Sequence, residues 1–155
     1  MSGAGAPAFE VDGSGLRVAI VAASWHAQVM DGLIAGAQRA LADASVPDVE
    51  VLRVPGAFEL PLGAARLLEH CDAVVALGVV IRGGTPHFEY VCAAATDGLL
   101  RASLDAKRPV GFGLLTCDDE QQAIDRSGLP GSREDKGAEA AQAALAMAAS
   151  LPFPR

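Results

Sequence analysis

The sequence predicts a doubly wound α/β domain, a three-layer α/β/α sandwich around a four-stranded parallel sheet. Three observations lead there. Short apolar, β-branched runs lack polar alternation, so they read as strands covered on both faces. Stretches with apolar residues at helical spacing separate these runs one by one. Strands that alternate with helices pair in parallel through right-handed crossovers. The 155 residues match one domain and one core. With 51% apolar but only 5% aromatic residues, that core is built mainly from Ala, Val, Leu and Ile.

Residues 1–15, rich in Gly, Ala and Ser, lack core periodicity and read as a tail, either frayed or docked on a neighbouring subunit. The single domain spans 16–151. Its first strand is Leu16 to Ala23. A helix follows from His26 to about Ala44, with Val29, Leu33, Ile34, Ala37 and Leu41 on one face. Val49 to Val54 is a second strand and Leu60 to His70 a helix. Ala73 to Ile81 is the most apolar strand and belongs at the centre. Phe88 to Ala106 is the next helix, Val110 to Leu115 the fourth strand, Glu120 to Arg126 a short helix and Gly137 to Ser150 the last.

In such sheets ligands bind beyond the carboxyl ends of the strands. That selects the loops at Ser24-Trp25-His26, at Pro55 to Glu59, at Arg82 to His87 and from Thr116 onward. Gly83-Gly84-Thr85-Pro86-His87 carries the strongest signal. Two glycines allow a ligand to approach the backbone, Thr85 is a natural N-cap, and Pro86 suits a first helical position. Free amides and the helix dipole there make an anion site, and a plain strand-to-helix turn does not need all of these residues. His87, on the first helical turn, is suited to take and return a proton as a neutral imidazole. Trp25 is either a stacking platform for a flat heterocycle or a rim residue capping the core. Glu59 either faces ligand hydroxyls or serves its own helix start. Arg126 either balances a phosphate or is a solvated helix-end charge.

A net charge of −7 leaves no basic footprint for nucleic acid. The N-terminus lacks a secretory pattern, and no apolar run approaches the ~20 residues of a membrane span, so the expected compartment is cytoplasmic. Cys71, Cys92 and Cys117 are odd in number and widely spaced, the pattern of packing thiols rather than of metal ligands or disulfides.

Read together, Ser24-Trp25-His26, Val54 to Pro61, Ala76 to Val91, Phe112 to Thr116, Gln122 to Gly128 and Lys136-Gly137 resemble the 6,7-dimethyl-8-ribityllumazine synthase family. The resemblance runs in order and spacing from about residue 16 to about 150. It implies a flavodoxin-like fold and the condensation of 5-amino-6-(D-ribitylamino)uracil with 3,4-dihydroxy-2-butanone 4-phosphate, with neither metal nor organic cofactor. It further implies that Trp25 stacks on the pyrimidinedione, while Ala57, Phe58, Glu59, Val79, Val80 and Ile81 hold the ring and ribityl chain. Gly84, Thr85 and Arg126 would grip the phosphate and His87 would donate and accept protons. Phe112 would close the site of an adjacent subunit, with Lys136 near the same place, in a homo-oligomer.

Two departures stand out. Trp25 occupies a position where the family more often carries phenylalanine. The connection Leu129 to Asp135 is longer than in shell-forming members, which favours a free homopentamer. The rival readings are an archaeal-type riboflavin synthase, a non-catalytic flavin- or lumazine-binding protein and a purely structural shell protein.

Overall fold

The computed structural model describes residues 5–151. Strands β1 (Val18–Ala23), β2 (Glu50–Val54), β3 (Ala73–Ile81) and β4 (Val110–Cys117) form one sheet in the order β2-β1-β3-β4. Every pairing is parallel, with Ile20 opposite Val51 and Val75, and Gly78 opposite Leu114. Five α-helices, α1 (Ala27–Asp43), α2 (Leu60–Leu67), α3 (His87–Ala106), α4 (Glu120–Ile124) and α5 (Lys136–Ser150), and a 3-10 turn at Ala57–Glu59 complete the described residues.

All six residues of β1 are buried because both faces are covered. Val18, Ile20 and Ala22 share a core with α1 and α5, while Ala19, Val21 and Ala23 share another with α2 and α3. This two-sided burial is why the run shows no polar alternation. β3 is internal, as expected of the most apolar strand, and β2 and β4 form the edges. Small residues let α5 approach closely: a Cβ on Gly137 would stand 2.0 Å from the Leu33 carbonyl oxygen, and one on Gly111 of β4 would stand 2.2 Å from that of Ala140.

The observed boundaries differ modestly from the expected ones. β4 continues two residues further, to Cys117, and α2 ends at Leu67, with Leu68 to His70 in turns. α4 stops at Ile124, since the next segment folds back: Arg133 and Glu134 amides donate to the Asp125 carbonyl at 2.9 Å each, and Ser127 bridges Asp135. In the N-terminal stretch, Val11 packs against the α1/α5 core and the Gly13 amide donates to the Ala44 carbonyl at 2.6 Å. Phe9 remains half exposed. Residues 1–4 of the expected tail lie outside the described residues.

Candidate active site

β1 leads to α1 on one face of the sheet, whereas β3 leads to α3 on the other. Their carboxyl ends therefore diverge and open a crevice, the expected ligand position in a doubly wound sheet. A cleft of about 720 Å³ occupies it, within the range of small-molecule sites. Its walls are Trp25 and His26, the turn Gly56 to Glu59, the strand end Val79-Val80-Ile81, and His87, Tyr90 and Val91 of α3. Eight of the residues singled out from sequence thus meet in one cleft: Trp25, Ala57, Phe58, Glu59, Val79, Val80, Ile81 and His87.

The loop bearing Trp25 is tied to its neighbour. The Ser24 hydroxyl donates to the Val54 carbonyl at 2.8 Å, and the Ser24 amide donates to that of Pro55 at 3.3 Å. Trp25 is 68% exposed, so it does not cap the core. Its indole edge instead lies over Gly56, where a Cβ would stand 3.4 Å from the ring. One face of a large π-system is left toward the cleft. His26 adopts a left-handed backbone (φ 59°, ψ 63°) and makes no side-chain cap to α1. A non-glycine residue there is strained, a condition concentrated at functional sites.

In the second loop the Glu59 carboxylate accepts from the Gly56 amide at 2.9 Å, and the Glu59 amide returns a bond to the Gly56 carbonyl at 3.2 Å. Glu59 therefore serves its own helix start with Oε2, as one of the two sequence readings held, while also lining the cleft. The Ala57 and Phe58 amides find no acceptor among the described residues. Phe58 exposes its ring while Ala57 is buried.

The glycine-rich loop follows Ile81. Regular helix begins at His87, with Pro86 at φ −64°, ψ −2° just before it. The N-cap of α3 is Pro86, without a side-chain cap, and the expected cap residue Thr85 only accepts one long bond, from the His87 amide at 3.4 Å. The Gly83, Gly84 and Thr85 amides have no acceptor among the described residues. Among the described residues, chain neighbours aside, nothing lies within 4 Å of a Cβ built on Gly83 or Gly84, and neither has a positive φ. The fold itself thus gives no reason for glycine at these two positions. Three free amides ahead of a 20-residue helix are the arrangement from which anion sites are built.

Gly84, Thr85, Phe112, Arg126 and Lys136 do not line this cleft, and Gly84 and Thr85 reach it only through the adjoining His87. Phe112 lies on edge strand β4 and is 50% exposed. Arg126 donates to the Gln122 carbonyl at 2.8 Å. Lys136 starts α5 and pairs with Glu134 at 2.5 Å and Glu139 at 2.7 Å. Burial disfavours its ammonium, but the hydrogen bonds to the two carboxylates outweigh that and raise its pKa.

Three participants were missed in the sequence. Tyr90 and Val91 follow His87 by three and four positions, a spacing that puts them on its helical face. Arg82 is the third. Its guanidinium pairs with Glu89, lies 3.0 Å from Asp118 and stacks 4.4 Å from the centre of the Phe88 ring. The hydrogen bond from Arg82 holds the Glu89 carboxyl below its ordinary value. Burial raises the thiols of Cys71, Cys92 and Cys117, as packing residues require. Among the described residues no group of three or more His, Cys, Asp or Glu can hold a metal, and no helix is long and apolar enough to cross a membrane.

The family model for 6,7-dimethyl-8-ribityllumazine synthase matches residues 15–151. The chain is 67% identical over 153 residues to a protein of that name from Nocardioides sp. (strain ATCC BAA-499 / JS614), covering 97% of this chain and 95% of the other. It is 64% identical to one from Arthrobacter sp. (strain FB24), with 97% and 98% covered. To one from Kocuria rhizophila it is 63% identical, with 99% and 100% covered.

Proposed function

The chain belongs to the 6,7-dimethyl-8-ribityllumazine synthase family, and from that membership we propose that its cleft carries out the family's reaction. The transferase joins 5-amino-6-(D-ribitylamino)uracil to 3,4-dihydroxy-2-butanone 4-phosphate and forms 6,7-dimethyl-8-ribityllumazine, the penultimate step of riboflavin biosynthesis. The observation that carries this reading is the meeting of an exposed indole, a carboxylate and a histidine in one crevice, with three unpartnered amides leading into that histidine's helix.

Each group has a task in the chemistry. Trp25 stacks on the pyrimidinedione. The Ala57 and Phe58 amides, the free oxygen of Glu59 and the strand end Val79-Val80-Ile81 hold the ring and ribityl chain. The amides of Gly84 and Thr85, the Thr85 hydroxyl and the positive end of α3 bind the phosphate. Amine attack on the ketone, loss of water, departure of phosphate and ring closure all move protons. His87, at the head of α3, takes and returns them. Holding two substrates in register supplies much of the remaining acceleration.

A homopentamer accounts for the residues outside the cleft. Leu62, Tyr90, Leu100 and Leu104 expose apolar side chains on α2 and α3, a surface suited to another copy. In the ring, Phe112 on the β4 edge closes the adjacent subunit's cleft, and Arg126 adds positive charge near its phosphate, with Lys136 and its two carboxylate partners beside it. Three unpaired thiols, two buried and Cys92 partly so, agree with a cytoplasmic setting.

The test mixes purified protein with both substrates and follows lumazine absorbance and fluorescence against the slow uncatalysed reaction. Acceleration far above the control supports the assignment. Riboflavin binding without acceleration supports a non-catalytic flavin-binding protein instead.

A further inference from the structure

We propose that Arg82 is a positioning residue: by clamping the first turn of α3 to the end of β4, it sets the phosphate loop and His87 in register. The inference rests on the reading that this loop binds the substrate phosphate. Gly83 to Pro86 is held by few bonds of its own: among the described residues the His87 amide donates to the Thr85 hydroxyl at 3.4 Å, the Glu89 amide donates to the Pro86 carbonyl at 3.1 Å, and the Gly83 and Gly84 amides donate to no acceptor. Its position must therefore come from its two ends, and Arg82 reaches both. The Arg82 amide donates to the Cys117 carbonyl at 2.9 Å, extending the β3–β4 pairing to the last residue before the glycines. The guanidinium then crosses the loop to Glu89 and stacks on Phe88, the two residues directly after His87.

The clamp has a second arm. Arg82 Nε donates to Asp118 Oδ1 at 3.0 Å, and the Asp118 amide donates to the Gln122 side chain at 2.8 Å. The Gln122 carbonyl accepts from Arg126 at 2.8 Å. A continuous chain of polar contacts thus joins the loop to α4 and to Arg126. With two carboxylates against it, the Arg82 guanidinium is more than neutralised and committed away from the loop amides. That separates positioning from direct phosphate binding, since releasing Arg82 from Glu89 has opposite effects in the two cases.

The experiment compares wild type with Arg82→Met, Arg82→Lys and Glu89→Gln. It measures steady-state constants for each substrate, orthophosphate affinity by calorimetry and thermal midpoint. A misplaced loop costs roughly 10- to 100-fold. Arg82→Met is therefore expected to raise the KM of the phosphate substrate, weaken orthophosphate binding and lower kcat, with the pyrimidine KM within about twofold. Arg82→Lys recovers part of this loss, because an ammonium keeps the charge but not the fork. Glu89→Gln shifts the constants in the same direction as Arg82→Met, and it carries the test alone if Arg82→Met does not fold. Tighter orthophosphate binding in Glu89→Gln overturns the proposal in favour of direct contact. A lowered midpoint with unmoved constants overturns it in favour of a purely structural role. If wild type accelerates nothing, the fault lies with the catalytic reading. Calorimetry then still decides, because orthophosphate affinity equal in wild type and Arg82→Met overturns the clamp.

Discussion

His87 opens the longest described helix at the edge of a cleft whose far wall is an exposed tryptophan. Replacing its imidazole removes a proton carrier but no part of the stacking surface. His87→Ala is therefore expected to slow turnover by about 10²- to 10⁴-fold, while affinity for the pyrimidine substrate stays near that of wild type. Single-turnover kinetics and equilibrium binding separate the two quantities, and wild-type turnover in the variant would remove His87 from the mechanism. Gly84→Ala probes the anion site differently. The added Cβ meets nothing within 4 Å, so the thermal midpoint should hold, and a raised KM confined to the phosphate substrate would locate the ligand at that backbone. These residues were legible because Gly, Thr, Pro and His stand consecutively and their conformational roles are local. Arg82 was not, since its partners lie 7 and 36 positions away and only the fold brings them together. The left-handed backbone of His26 likewise has no local sequence signal.

Among the elements, strands and long helices were readable because burial on both faces leaves uninterrupted apolar runs and burial of one stripe leaves a helical period. The 3-10 turn Ala57–Glu59 and the fold-back after α4 depend on a few specific hydrogen bonds, which leave no periodicity to read. That fold-back delivers Glu134 to Lys136, and the hydrogen bond from Lys136 holds the Glu134 carboxyl below its ordinary 4.5. A carboxyl depressed in the folded state contributes stability above its unfolded value and loses it as pH falls through the folded value. Lys136, raised above 10.5, stays charged throughout that range. Wild type should therefore exceed Glu134→Gln in thermal midpoint at neutral pH, and the gap should close in acid below about 4.5. A gap independent of pH would show that the pair does not hold the α5 start. The closest α1–α5 approach is steric: with Leu33 backbone in the way, Gly137→Ala should cost about 1–3 kcal/mol, read as a lower denaturant midpoint at unchanged slope.

At the scale of the whole molecule, the cleft is open and some of the expected machinery lies elsewhere on the same chain. Phe112 is half exposed on the β4 edge and absent from the walls of the cleft, while α2 and α3 expose Leu62, Tyr90 and Leu104 to solvent. An isolated domain gains nothing from such an arrangement, whereas in the proposed closed ring each copy would complete the next through a head-to-tail interface. Composition and periodicity are blind to that relation, because a side chain that faces a neighbour reads as an ordinary apolar residue on a strand. Sedimentation should give a single species of five subunits, with the long Leu129 to Asp135 connection keeping rings from assembling into a shell. Sharing of the site is tested by mixing. Phe112→Ala and His87→Ala subunits, each weakly active alone, are co-expressed so that they assemble at random. In a ring about a quarter of the interfaces then pair an intact His87 with an intact Phe112 from the neighbour. Activity should rise well above the mean of the two parents. If Phe112 serves its own subunit, no mixed ring contains a new complete site, and the mixture returns only the parental average.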